Sequence, residues 1–152
     1  MVKVLFVCLG NICRSPMAEG LMRQYLVQEN IQEVAVSSAA TSTWEHGNPV
    51  HPGTKAILQR EGIDTNQMFS TPVKASDFAE YDFIIGMDRQ NVKDLKARAP
   101  HEYQDKIFLY LDAVEGHHNQ DVPDPWYTGD FEETYRLLEL GLDPWKIRFL
   151  NK

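Results

Sequence analysis

The chain opens on a segment with few ways to fold: Val4-Leu5-Phe6-Val7-Cys8-Leu9-Gly10-Asn11-Ile12-Cys13-Arg14-Ser15-Pro16. The β-branched and aromatic residues up to Cys8 describe a buried strand over about 2–8. Gly10 and Asn11 are the two residue types that best tolerate positive φ, and they mark a tight loop. Ser15-Pro16 reads as an N-cap followed by proline at the first helical position. Met17, Leu21 and Tyr25, spaced four apart, carry the helix on over about 16–29. The segment is a strand, a short loop and a helix N-terminus, with a thiol where the strand ends and a guanidinium where the helix begins.

That arrangement implies a chemistry. Five residues separate Cys8 from Arg14, and their backbone N–H groups can curl into a concave nest for an anion. The helix N-terminus adds the positive end of its dipole, and Arg14 adds a planar fork matched to two phosphate oxygens. A positive field of this kind favours the thiolate, the reactive form of a cysteine. A thiolate beneath a bound phosphoryl group is placed for in-line attack.

Cys-x5-Arg-Ser is the signature loop of cysteine-based phosphatases. The thirteen residues Val-Cys-Leu-Gly-Asn-Ile-Cys-Arg-Ser-Pro-Met-Ala-Glu at 7–19 resemble the low-molecular-weight protein tyrosine phosphatases. The resemblance extends over nearly the whole chain and is strongest at 4–19, 36–48, 78–91 and 121–135. It implies hydrolysis of phosphotyrosine through a cysteinyl-phosphate, with no metal and no cofactor. Leu9, Gly10, Asn11, Ile12 and Cys13 would form the phosphate loop.

At 152 residues the chain is expected to be one domain, 1–152, with a substantial core. A net charge of −7 argues against nucleic-acid or anionic-membrane binding, so an anionic substrate must be drawn by local dipoles and Arg14. The two cysteines do not make a secreted disulfide framework. The apolar run after Met1-Val2-Lys3 is too short for a signal-peptide core or a membrane span. The expectation is a cytoplasmic monomer acting on tyrosine-phosphorylated proteins or small aryl phosphates.

After the first helix comes a β-rich run, Val34–Ser38, and a Gly/Pro/Asn-rich loop over 40–52. A helix then passes through Ala56-Ile57-Leu58. Residues 63–76 are ambiguous; where the family often has a histidine and an arginine this chain has Met68 and Thr71, and no site role is assigned there. Tyr81–Met87 reads as a strand, and Asp88 as the cap of a helix containing Val92 and Leu95. Lys106–Leu109 is a fourth strand and 112–130 a loop. Phe131, Tyr135, Leu138 and Leu142 form the apolar stripe of a last helix. Strands alternating with helices imply a doubly wound parallel sheet with helices on both faces, and in such sheets ligands bind beyond the carboxyl ends of strands. The four-stranded order 2-1-3-4 is implied by the resemblance, not by the sequence pattern.

A phosphatase also needs a general acid for the leaving group. Asp124, in Val122-Pro123-Asp124-Pro125-Trp126-Tyr127, is flanked by prolines that favour an extended loop with no helix to absorb the carboxylate. It matches the family's Asp-Pro-aromatic-aromatic segment, with Trp126 in place of the more usual tyrosine. Asp143-Pro144-Trp145 presents the same tripeptide nineteen residues later. There Gly141 reads as the end of one helix and Asp143-Pro144 as the cap and first residue of another, a departure from the family's uninterrupted final helix.

Trp44, Trp126 and Tyr127 lie in loops, and the resemblance places them at the mouth of the site with Leu9 and Ile12. Asn11 suits a left-handed position, and the resemblance pairs its amide with the Ser38 hydroxyl. Ser15 can donate to the Cys8 sulfur, and Cys13 is a candidate resolving thiol should Cys8 be oxidised. Asp88 reads as a cap, with a site role by analogy only. His117-His118 lacks further ligands at metal spacing, and His46, His51 and His101 read as surface residues. Arsenate reduction on the same fold is the second reading, but it needs redox cysteines beyond Cys13. A non-hydrolytic phosphocysteine carrier is the third, disfavoured by a general-acid loop and by Arg14.

Overall fold

The computed structural model describes all 152 residues. Four parallel strands, β1 (Val2–Cys8), β2 (Val34–Ala40), β3 (Phe83–Gly86) and β4 (Ile107–Leu109), form one sheet in the order β2-β1-β3-β4. Alternation along β1 divides the core between the two faces. Val4, Phe6 and Cys8 face one cluster with Met17, Leu21, Leu138 and Trp145. Leu5 and Val7 face the other with Phe78, Ile84 and Leu95. Burial on both faces explains why β1 is an unbroken apolar run from Val4 to Cys8 rather than an alternating one.

Helix α1 (Arg14–Gln28) returns the chain from β1 to β2, and α2 (Pro52–Arg60) follows the long loop after β2. A single turn, α3 (Asp77–Glu80), precedes β3, and α4 (Arg89–Arg98) follows it. Asp88 begins α4 with a reciprocal capping box: its carboxylate accepts from Asn91 N at 2.7 Å, and Asn91 Oδ1 accepts from Asp88 N at 3.2 Å. A short turn, α5 (Pro125–Thr128), interrupts the segment expected to be all loop, and α6 (Phe131–Leu150) closes the fold.

Three local expectations are corrected. Helix α1 begins at Arg14 with Cys13 in the cap position and no side-chain cap, so Ser15 is a helical residue and not the cap. No hydroxyl closes off this helix N-terminus, and Ser15 N donates to Cys8 Sγ at 3.4 Å. Asp124 does have a helix to absorb it: its carboxylate accepts from Trp126 N at 3.1 Å and caps α5. Finally, α6 runs unbroken through Gly141 and Pro144, so Asp143 caps nothing. Tertiary packing overrides both signals. A Cβ on Gly141 would lie 2.5 Å from the Tyr110 ring, so glycine here permits a close approach rather than ending the helix. Trp145 is fully buried, its indole N–H donating to Tyr110 O at 2.9 Å, among the rings of Phe83, Phe108 and Phe149.

Candidate active site

The carboxyl ends of β1 and β3 build the site. Cys8 is the last residue of β1, and β3 lies beside it, with Val7 paired to Gly86. Past the strand end, Met87 N donates to Val7 O at 3.0 Å, and Val122 N donates to Met87 O at 2.9 Å. The segment carrying Asp124 is thus laid alongside the end of β3. The loop from Leu9 to Cys13 starts by pairing with the chain that continues β2: Thr41 N donates to Cys8 O at 2.9 Å and Ser42 N to Leu9 O at 3.1 Å.

Three donors converge on the Cys8 sulfur. Asn11 N lies at 3.3 Å, Ser15 N at 3.4 Å and the Ser15 hydroxyl at 3.0 Å. The direction of that last bond follows from hydrogen-bond accounting. Ser38 gives its only proton to Glu19 Oε1, at 2.5 Å, so it must accept from Asn11 Nδ2 at 2.9 Å. The second Asn11 Nδ2 hydrogen goes to Ser15 Oγ at 2.8 Å. Ser15 therefore accepts from Asn11 and turns its own proton to the sulfur, its other acceptor, Ala39 O, being 3.5 Å away. Asn11 sits at φ 57°, a left-handed position for which asparagine is suited. Its Oδ1 accepts from Thr71 N at 3.0 Å. The expected Asn11–Ser38 contact is present, and Glu19 extends it.

Arg14 is 2 % exposed. Its Nη1 donates to Asp88 Oδ2 at 2.7 Å and to Val122 O at 2.9 Å, and its Nη2 to Asp124 Oδ2 at 3.3 Å. Burial opposes its charge, but the pull of Cys8, then Asp124 and Asp88, outweighs that and holds the guanidinium above its ordinary range. Its Nε is buried with no protein partner. A buried donor without an acceptor is costly, and an oxyanion in the loop would relieve it. Cys13 contrasts with Cys8: burial, then the charges of Cys8 and Asp124, push its thiol up to about 12.

Cys8, Leu9, Gly10, Ile12, Cys13, Trp44, Asp124, Trp126 and Tyr127 surround one cavity of about 140 Å³, joined by Glu45. Asn11, Arg14, Ser15 and Ser38 stand behind this wall and hold it in place. Asp143 is remote: Tyr25 Oη donates to it at 2.7 Å and Lys146 pairs with it at 2.9 Å, and both hold its carboxyl below the usual range.

Several contributors carried no site signal in sequence. Ser70 Oγ donates to Gly10 O at 2.8 Å, and Ser70 and Thr71 fall in the stretch given no role. Their proximity comes from the bridge between Ala40 and Pro72, which no local pattern announces. His51 is not a plain surface residue: its ring stacks on Phe131 at 4.9 Å and meets Trp126 edge-on at 5.7 Å. Asp88 was foreseeable from topology, since any residue just past β3 must lie beside the end of β1.

A buried thiol at a strand end, an uncapped helix N-terminus, an arginine with a free donor and a nearby carboxylate together define a cysteine-dependent phosphoryl-transfer site on a doubly wound sheet. The profile of the family described as low molecular weight phosphotyrosine protein phosphatase matches residues 3–152. The low molecular weight protein-tyrosine-phosphatase YfkJ of Bacillus subtilis is 43% identical over 144 residues, covering 94% of this chain and 92% of that protein. The YfkJ crystal structure superposes with a TM-score of 0.95 at 41% identity, over 99% of this chain and 96% of its own. The Streptococcus pyogenes enzyme SP-PTP aligns with a TM-score of 0.84 at 48% identity, over 97% and 93%. The chain belongs to the low molecular weight phosphotyrosine protein phosphatase family.

Proposed function

We propose that the chain, acting as one domain over its 152 residues, hydrolyses phosphotyrosine by two in-line displacements with Cys8, Arg14 and Asp124 as its catalytic residues. The loop amides, Arg14 Nε and the remaining Nη2 hydrogen take the equatorial phosphoryl oxygens. The Cys8 thiolate forms the S–P bond as the aryl O–P bond breaks, and Asp124 gives its proton to the departing phenolate. Asp124, now a carboxylate, takes a proton from water as the water oxygen bonds to phosphorus. The S–P bond breaks, inorganic phosphate leaves, and the Ser15 proton receives the returning thiolate. Leu9, Ile12, Trp44, Trp126 and Tyr127 give the cavity flat apolar walls suited to an aryl group. The observation that carries the reading is the unpartnered Arg14 Nε behind a loop whose sulfur and carboxylate share one small cavity.

The substrates in this reading are tyrosine-phosphorylated proteins and small aryl phosphates, met by a monomer in the cytoplasm, where a reducing pool keeps Cys8 and Cys13 as thiols. Cys8→Ser should retain phosphate binding and lose at least about 10³-fold in turnover, since a hydroxyl is a poor nucleophile at neutral pH. Appreciable turnover by that variant would overturn the mechanism.

Cys13 is assigned a protective role in the same cavity. If peroxide converts Cys8 to its sulfenic acid, the Cys13 thiolate attacks that sulfur, expels hydroxide and forms a disulfide that dithiothreitol reduces. A Cys13 thiol at about 12 makes this step slow at neutral pH and faster as pH rises, although neutralising Cys8 removes one of the charges that hold it up. After excess peroxide and then dithiothreitol, wild type should recover activity, more so at pH 9 than at pH 7. Cys13→Ser, whose unresolved sulfenic acid is carried on by peroxide to a sulfinic acid that dithiothreitol does not reduce, should stay inactive. Equal recovery in both proteins would make Cys13 packing only.

A further inference from the structure

A second, larger groove of about 660 Å³ opens beside the active-site cavity. Ile12, Glu45 and Trp126 line both, so the two are continuous. Its floor is apolar, formed by Val50 and Met68 with Pro49 and Phe69 on the rim. Phe69 is 55% exposed, a large aromatic left in solvent beside a catalytic cleft. The groove is also firmly built. Pro49 and Phe69 are bridged, Ser70 N donates to Asn48 O and Gly47 N to Ser70 O, both at 2.9 Å. Each wall is tied to the phosphate loop, one through Ser70 Oγ on Gly10 O at 2.8 Å and the other through His51 N on Ile12 O at 2.9 Å.

Charge in the groove is polarised. Glu45 stands at the edge shared with the catalytic cavity and accepts from Asn48 Nδ2 at 2.6 Å. Lys55, in the first turn of α2, is the one lysine or arginine among the lining residues, and it has no ion-pair partner within 4.0 Å. On a chain of net charge −7, an unpaired cation in a groove is the feature an acidic ligand would find.

We propose that this groove seats one polypeptide flank of the phosphotyrosine, with an apolar side chain lying on Phe69 and Val50 and a carboxylate further along paired with Lys55. The proposal rests on the phosphotyrosine reading above and extends it from the phosphorylated ring to the chain that carries it. A free aryl phosphate fills only the small cavity, so the groove would act on phosphoproteins and not on small substrates.

The test uses the full chain and matched phosphotyrosine peptides that carry Asp or Lys, and Leu or Ser, in the flanks, with p-nitrophenyl phosphate as the small substrate. Wild type should favour the Leu/Asp peptide over its Lys counterpart by about fivefold in kcat/KM, the scale of a partly exposed ion pair. Lys55→Glu should reverse that order while turning over p-nitrophenyl phosphate within about twofold of wild type. Phe69→Ala should lower kcat/KM for the Leu peptide by about tenfold, through KM, and abolish the Leu-over-Ser preference. An unchanged peptide order in Lys55→Glu overturns the groove, as do peptides that run no faster than free phosphotyrosine in every flank. Failure of wild type to cleave p-nitrophenyl phosphate would instead overturn the catalytic reading. In that case calorimetric binding of the same peptides to Cys8→Ser and to Cys8→Ser with Lys55→Glu decides the groove by the same reversal.

Discussion

Asp124-Pro125-Trp126 and Asp143-Pro144-Trp145 are the same tripeptide in one chain, and they meet opposite fates. The first begins a helix: Asp124 caps it, Pro125 occupies its first position, and Trp126 is left 56% exposed at the rim of the cavity. The second lies inside a helix: Asp143 is exposed, Pro144 interrupts the backbone ladder, and Trp145 is fully buried. The surroundings make the difference. Asp124 stands 3.3 Å from a buried arginine, whereas Asp143 faces a tyrosine hydroxyl and a surface lysine. The proposed mechanism uses one copy for chemistry, the fold uses the other for packing, and the tripeptide alone does not say which.

The largest expected effect separates the two carboxylates. Asp124→Asn should slow hydrolysis of phosphates with poor leaving groups by about 10²–10⁴-fold while sparing those whose phenol leaves without a proton. Asp143→Asn should change neither by more than about twofold, because an exposed group with local partners contributes little. A leaving-group series run on both variants is the measurement. Leaving-group dependence in Asp143→Asn would reverse the assignment.

The two tryptophans come next. Trp145→Ala removes a buried ring packed among Phe83, Phe108 and Phe149 and strands Tyr110 O without its donor, and it should cost about 3–5 kcal/mol in denaturant unfolding. Trp126→Ala should leave unfolding nearly unchanged and raise KM for aryl phosphates several-fold. A stability loss for Trp126→Ala comparable to that of Trp145→Ala would mean that the rim residue is core.

The site's floor was legible because its constraints are local. Cys8, Gly10, Asn11 and Arg14 fall within seven consecutive residues, and strand, loop and helix each leave a mark on that stretch. What escaped depends on non-local packing. Ser70 reaches Gly10 across sixty residues, and the Glu19–Ser38 bond across nineteen. The helical stop at Gly141 was misread for the same reason. A glycine beside a future proline looks like punctuation, and only the Tyr110 ring against it reveals the need for close approach. The strands and their alternation with helices followed from hydrophobic pattern, whereas the one-turn helices α3 and α5 carry too few residues for periodicity to show.

The smallest expected effect tests the two prolines, and its sign is the point. Pro125 occupies a first helical position, where its fixed φ suits the helix and its missing N–H costs nothing. Pro144 withholds the N–H that Leu140 O would accept, at a turn where Leu140 is 47% exposed. Pro144→Ala restores that bond and removes a helix-propensity penalty of about 3 kcal/mol, partly offset by about 1 kcal/mol of extra unfolded-state entropy. Trp145 already holds this turn in helical form, so part of the penalty is relieved by packing and the net gain should be about 1 kcal/mol. That raises Tm by about 2–4 °C in a chain of this size. Pro125→Ala should do the opposite, lowering Tm by about 1–2 °C through the same entropy term and loosening the cap that aims Asp124. Thermal unfolding of both variants settles the sign. A fall in Tm for Pro144→Ala would mean that the proline bends α6 onto Tyr110 and is required there, so both copies of the tripeptide would then use their proline to direct the chain.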